Sequence, residues 1–148
     1  MPAKQELIIE KVIFGGSGLG RLEGKVCLVN DVIEGETVQV RIRQDKKGFS
    51  RGKLVRIDRP SVKRVTPPCI YVKQCGGCQY QHMNYNEQLR VKEEQVKEAV
   101  THSLKLPPSL VETIRSSPQP FHYRNHVTLH PIDPEFDESQ RLGYVSRD

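Results

Sequence analysis

The stretch Thr37–Arg43, TVQVRIR, alternates apolar and polar residues without a break, placing Val38, Val40 and Ile42 on one face of a strand and Arg41 and Arg43 on the other. Shorter pieces of the same period surround it. Leu7, Ile9 and Ile13 share a face up to FGGSGLGR, Lys25–Val29 is a second apolar run, and Phe49–Ile57 leads through Leu54 and Val55 to an Asp58-Arg59-Pro60 stop. The turn-rich pieces NDVIEGE and QDKKG separate them. Five short strands in under sixty residues predict a small barrel, because closure removes the exposed edges of an antiparallel sheet.

The expected fold class is mainly β with one helix, in five parts: the barrel over residues 1–60, a proline-rich and basic linker over 61–68, a cysteine loop over 69–83, a helix over 84–106, and the start of a further β domain over 121–148. For the helix, Asn84 is the expected N-cap with Glu87 three residues on. Leu89, Val96, Val100 and Leu104 make a narrow apolar stripe, expected to pack over the cysteine loop or the next domain. In the last part Asn125–His130 alternates, PIDPEFDESQ is a polar loop, and a strand opens at Leu142 without a partner after it, which predicts a fragment of a longer protein.

Charge is divided unevenly. Residues 1–68 carry 14 Lys and Arg against 8 Asp and Glu, while residues 69–148 carry 9 against 10, so the net charge of +5 resides in the barrel and linker. A basic face of this kind fits a polyanion. No apolar run reaches the roughly eighteen residues of a membrane span, and MPAKQELIIE lacks the apolar core of a secretory signal, so the expected compartment is the cytoplasm, with no membrane partner. FGGSGLGR lacks both the Gly-Lys-Ser/Thr ending of a phosphate loop and the G-x-G-x-x-G spacing, and reads as a β-turn of the barrel.

In a cytoplasmic chain with four cysteines, three of them in CIYVKQCGGCQYQH are a candidate ligand set. Cys69, Cys75 and Cys78 admit three readings: a redox dithiol of Cys75 and Cys78, without the strand–helix setting such pairs use; a Cys3His zinc site completed by His82; and an iron–sulfur cluster with a fourth thiolate from elsewhere. Spacing alone slightly favours zinc. Cys27, inside the apolar VCLVN, reads as a buried structural residue.

The segment PPCIYVKQCGGCQYQHMNYNEQLRVKEEQV resembles the cysteine region of the RNA (uracil-C5)-methyltransferases, in which Cys-x5-Cys-Gly-Gly-Cys-x-x-Gln-His leads into a helix. IFGGSGLGRLEGKVCLVNDVIEGETVQVRI resembles the TRAM domain, an OB-like barrel, and Tyr123-Arg124-Asn125 with Leu142-Gly143-Tyr144 resembles the start of the central domain of those enzymes. The resemblance implies a [4Fe–4S] cluster on Cys69, Cys75 and Cys78 with its fourth ligand beyond Asp148, His82 being no ligand and Gln79, Gln81 and His82 shaping the loop. It also implies S-adenosylmethionine, a nucleophilic cysteine that adds to C6 of uracil, and a general base, all in a domain absent from this sequence, so no catalytic residue is expected here. The expected partner is RNA, foremost large-subunit rRNA, bound by a monomer. Phosphate contacts are assigned to Arg41, Arg43, Lys46, Lys47, Arg51 and Lys53. The alternative is a stand-alone RNA-binding adaptor carrying the Cys3His zinc site.

Overall fold

The computed structural model describes residues 4–131 and 142–144. Its main sheet contains β1 (Gln5–Ile8), β2 (Lys11–Val12), β3 (Gly18–Leu22), β4 (Lys25–Val29), β5 (Thr37–Asp45) and β6 (Phe49–Arg59), in the order β1-β5-β6-β4-β3-β2. β1 and β2 are two halves of one bent strand. The first half pairs with β5, Leu7 opposite Val38, and the second with β3, Val12 opposite Gly18. The two ends of the sheet therefore meet through a single strand, and the barrel closes without a free edge. Every pair in this sheet is antiparallel except β4–β6, which runs parallel with Val29 opposite Gly52.

Bending requires close approach where the halves join. A Cβ on Gly20 would stand 2.3 Å from the Ile8 carbonyl oxygen, and one on Gly18 would stand 2.2 Å from Val32 Cγ2, so these glycines let β3 lie against the bent strand. The bend also corrects the expected inward set. Leu7 and Ile9 are buried as the alternation predicts, but beyond the change of partner Val12, not Ile13, takes the buried place.

The barrel interior is Leu7, Ile9, Cys27, Val29, Val32, Val38 and Val40, with Leu22, Ile42, Leu54 and Ile57 packed around them. Cys27 has no exposed surface, and burial pushes its thiol up against the lowering effect of hydrogen bonds from Ser50 and Gly52, in keeping with a structural role. A second, smaller core of Val12, Ile33, Met83 and Val91, with Tyr80 against it, lies at the seam between barrel and helix.

The helix α1 (Tyr85–Leu104) starts where its capping signal predicts: Asn84 Oδ1 accepts the Glu87 N–H at 2.9 Å. It ends at Lys105, which adopts the left-handed conformation at φ 57° and returns its N–H to the Val100 carbonyl. The buried face of α1 differs from the expected stripe. Glu87, Val91 and Gln95 face the barrel, whereas Val96 and Leu104 are largely exposed. The physical reason is hydrogen bonding: Gln95 Nε2 donates to the carbonyls of Val12 at 3.2 Å and Ile13 at 2.9 Å, and the Lys11–Glu98 and Arg90–Glu34 ion pairs flank it. A polar side chain that satisfies two backbone acceptors outcompetes an apolar stripe at this seam.

After a short 3-10 turn at Pro108–Leu110 the chain returns along α1, the Ile114 N–H donating to Glu93 and the Ser117 N–H to the Tyr85 hydroxyl. Of the strand expected over 125–130 only His130 lies in a paired strand, β7 (His130–Pro131), which pairs with β8 (Leu142–Gly143). Residues 132–140 of the expected polar loop, and Val145, lie outside the described residues.

Candidate functional site

The cysteine loop is fastened to the barrel from both sides. Upstream, Glu36, with no exposed surface, accepts from the Ile33 and Ser61 N–H groups and from Arg64, whose guanidinium also donates to the Asp31 carbonyl. Burial alone would raise the Glu36 carboxyl; the Arg64 hydrogen bonds, the two backbone donors and the Arg64 charge together hold it below its ordinary value. Thus residues 61–64, expected as linker, are bound to the barrel, and Arg64 forms a bridge with Met83. Downstream, the buried His82 donates from Nε2 to the Val32 carbonyl at 3.1 Å. Burial lowers its pKa and the nearby Arg64 charge lowers it further, while the Val32 carbonyl, Asp31 and Glu36 act in the opposite sense.

Between these anchors the loop turns tightly. The Cys75 N–H donates to the Tyr71 carbonyl at 2.8 Å, the Gly77 N–H is directed at Cys75 Sγ at 3.3 Å, and Gln79 Nε2 donates to the Gly76 carbonyl at 2.9 Å. Cys69 and Cys75 are half-buried, Cys78 is exposed, and all three thiols are free. Among the described residues, no three His, Cys, Asp or Glu side chains are already gathered into a metal-holding group. The donor chemistry nonetheless fits a thiolate-ligated centre: three free cysteines, none of them fully buried, fall within one loop, and a backbone N–H is aimed at the sulfur of Cys75. His82 is directed instead at the barrel.

Three distant segments meet beside this turn. A Cβ on Gly16, in the glycine turn of the barrel, would stand 2.7 Å from Gln79 Cβ, and one on Gly77 would stand 3.7 Å from Tyr144 Cδ1. Arg124 lies over the Tyr123 ring at 5.9 Å, and its pKa is pushed up first by the hydrogen bond with Tyr123 and less by the more distant Tyr144 and Cys78. Segments as far along the chain as Tyr144, 66 residues beyond Cys78, are thus spatial neighbours of the cysteine turn.

The basic residues occupy the β5–β6 hairpin. Arg41 stands opposite Lys53, a like-charge cross-strand pair that costs stability unless an anion is near. Arg43, Lys46, Lys47, Arg51 and Lys53 are exposed, whereas Arg41 is half-buried. The sequence reading missed Phe49, whose ring is approached by Lys46 Nζ at 5.6 Å and by the Arg51 guanidinium at 5.8 Å. It also missed Glu36, which carries no periodic signal because its burial depends on partners far along the chain.

The family description "TRAM domain" matches residues 3–55. The barrel is a TRAM domain. Beyond the TRAM domain, the chain is similar to longer proteins. Over 123 residues it is 39% identical to an uncharacterized RNA methyltransferase of Thermosynechococcus vestitus, covering 83% of this chain and 27% of that protein. Over 130 residues it is 36% identical to a protein of Shewanella piezotolerans named 23S rRNA (uracil(1939)-C(5))-methyltransferase, covering 87% of this chain and 29% of the relative. Over 120 residues it is 41% identical to an uncharacterized RNA methyltransferase of Clostridium tetani, covering 81% and 26% respectively. The chain thus spans under a third of the length of these relatives. Among the described residues no helix is long and apolar enough to cross a membrane.

Proposed function

We propose that this chain is the RNA-engaging and cluster-bearing portion of a cytoplasmic, S-adenosylmethionine-dependent rRNA (uracil-C5)-methyltransferase, with methyl transfer carried out by a domain that this sequence does not include. The observation that carries the reading is the fastening of the cysteine loop to the TRAM domain through Glu36–Arg64 and His82–Val32, which makes the two motifs one body. Arg43, Lys46, Lys47, Arg51 and Lys53 supply phosphate contacts from the hairpin, Arg41 supports them, and large-subunit rRNA is the proposed target.

Cys69, Cys75 and Cys78 are the proposed ligands of a [4Fe–4S] cluster. With Cys27 sealed in the barrel, the fourth thiolate has to come from outside this sequence. When bound, the cluster would cross-link the turn and contribute folding energy to a loop with few apolar residues. Buried His82 turns its Nε2 to the Val32 carbonyl, so only its Nδ1 is left to complete the zinc site of the adaptor.

The test is RNA binding by the 148-residue chain, measured against the chain with Arg41, Arg43, Lys46, Lys47, Arg51 and Lys53 changed to Ser. A loss of affinity for structured rRNA in the changed chain supports the reading; equal affinity overturns the role of the hairpin.

A further inference from the structure

Phe14 stands on the glycine turn with 89% of its surface exposed, ahead of Gly15 and Gly16 at φ 91° and 89°. With Tyr80 and with Val96, Val100 and Leu104 of α1 it lines an open groove of about 650 Å³. Here lies the apolar stripe that the helix does not use against the barrel. The lining carries one charged residue, Lys92, whose Nζ is 5.7 Å from the Tyr80 ring centroid. The four acids of α1 are engaged elsewhere: Glu87 with Lys63 and Arg90, Glu93 and Glu94 with Lys97, and Glu98 with Lys11.

An aromatic face, an apolar wall and a cation with no acid beside it in the groove lining match one chemical object, a flat heteroaromatic ring tethered to an anion. We propose that this groove receives an unpaired nucleobase of bound RNA, stacked on Phe14, with Lys92 placed for the adjoining phosphate. The inference rests on the RNA-binding reading above and adds to it a subsite on the opposite kind of chemistry from the hairpin: stacking there, charge neutralisation on β5–β6. A volume of several hundred cubic ångströms is in the range of small-ligand sites and suits one nucleotide better than an apolar helix of a partner, which would leave Lys92 without a counter-charge.

The test uses the 148-residue chain and a single-stranded RNA of about twelve nucleotides, within the span of one OB-like barrel, carrying one 2-aminopurine whose fluorescence is quenched by stacking. Phe14→Ala is expected to weaken binding about tenfold, the loss of one stacked base, and to abolish the quench without changing the dependence of affinity on salt. Phe14→Tyr should restore both, and Lys92→Gln should lower the salt dependence. Because Phe14 is almost wholly exposed, these variants keep the fold, and the amide signals of Ala99 and Ser103 give a second reading by shifting in the unaltered chain when RNA is added. Equal affinity and quench in Phe14→Ala overturn the subsite and leave hairpin binding intact. Absence of RNA binding by the unaltered chain overturns both readings. Self-association that disappears in Phe14→Ala, with RNA affinity unchanged, reassigns the groove to a second copy and also overturns it.

Discussion

Arg64 holds both carboxylate oxygens of Glu36, with Nε 2.7 Å from Oε1 and Nη2 2.7 Å from Oε2, at a site where Glu36 has no contact with solvent. The pair joins the turn between β4 and β5 to the segment that leads into the cysteine loop. Removing one member leaves a buried charge without compensation, so Arg64→Ala should cost about 3–5 kcal/mol. Urea unfolding should show this as a lower midpoint. The double variant Arg64→Leu with Glu36→Gln should recover part of the loss, since a neutral amide can still satisfy some of the backbone donors.

Stability should fall as the solution becomes mildly acidic. His82 has its pKa lowered below the ordinary 6.5 by burial, so the folded protein favours the neutral ring, and its contribution is fully present above pH 6.5. As pH falls below that value the unfolded chain takes up a proton that the folded chain resists, at up to about 1.4 kcal/mol per pH unit. Glu36 and Glu87, both lowered, begin to lose their contribution only below the ordinary carboxylate value of 4.5. Between about pH 7 and 5 the decline therefore belongs to His82. Thermal unfolding of His82→Gln, which keeps a donor for the Val32 carbonyl, should be nearly flat across that interval.

RNA affinity should depend on salt through the hairpin. For every phosphate left without its cation when Arg43, Lys46, Lys47, Arg51 or Lys53 is changed to Ser, the slope of log affinity against log salt should fall by about 0.7 for a single strand. Titrations at several ionic strengths give the slope directly. Arg41, half-buried, should contribute less than its exposed neighbours.

Iron and acid-labile sulfide measured after anaerobic preparation should fall in Cys69→Ser, Cys75→Ser and Cys78→Ser. Cys27→Ala and His82→Gln should retain both. Zinc in place of iron, lost with His82→Gln, would return the ligand set to the Cys3His alternative.

The alternation in TVQVRIR, the turn glycines and the Asn84 cap were legible because each is a local rule: side-chain period, backbone freedom and one short hydrogen bond. What escaped such rules depends on distant partners. Nothing near Gln95 in the sequence indicates that β2 and the residue after it offer two carbonyls, so Gln95 reads as part of the wet face of α1 although it is buried. Likewise the alternation through Leu7, Ile9 and Ile13 gives no hint that the strand changes partners at Ile9 and Glu10. The cysteine spacing marks a candidate ligand set, but the barrel contact of His82 is a matter of tertiary placement.

In three of the contacts that join the appended segment to the barrel, Arg64 to Asp31, His82 to Val32, and Gln95 to Val12 and Ile13, the barrel offers carbonyl oxygens rather than side chains. The recognition code at these points is therefore carried by one side alone. Barrel positions 12, 13 and 32 can change identity, within the limits of packing, without erasing the addresses that the segment reads, whereas Arg64, His82 and Gln95 have no such latitude. A cysteine loop and helix transplanted with those three residues should dock on a foreign barrel that shares this backbone path and keeps a carboxylate at position 36 for Arg64, which makes the pair of modules separable in evolution and in engineering.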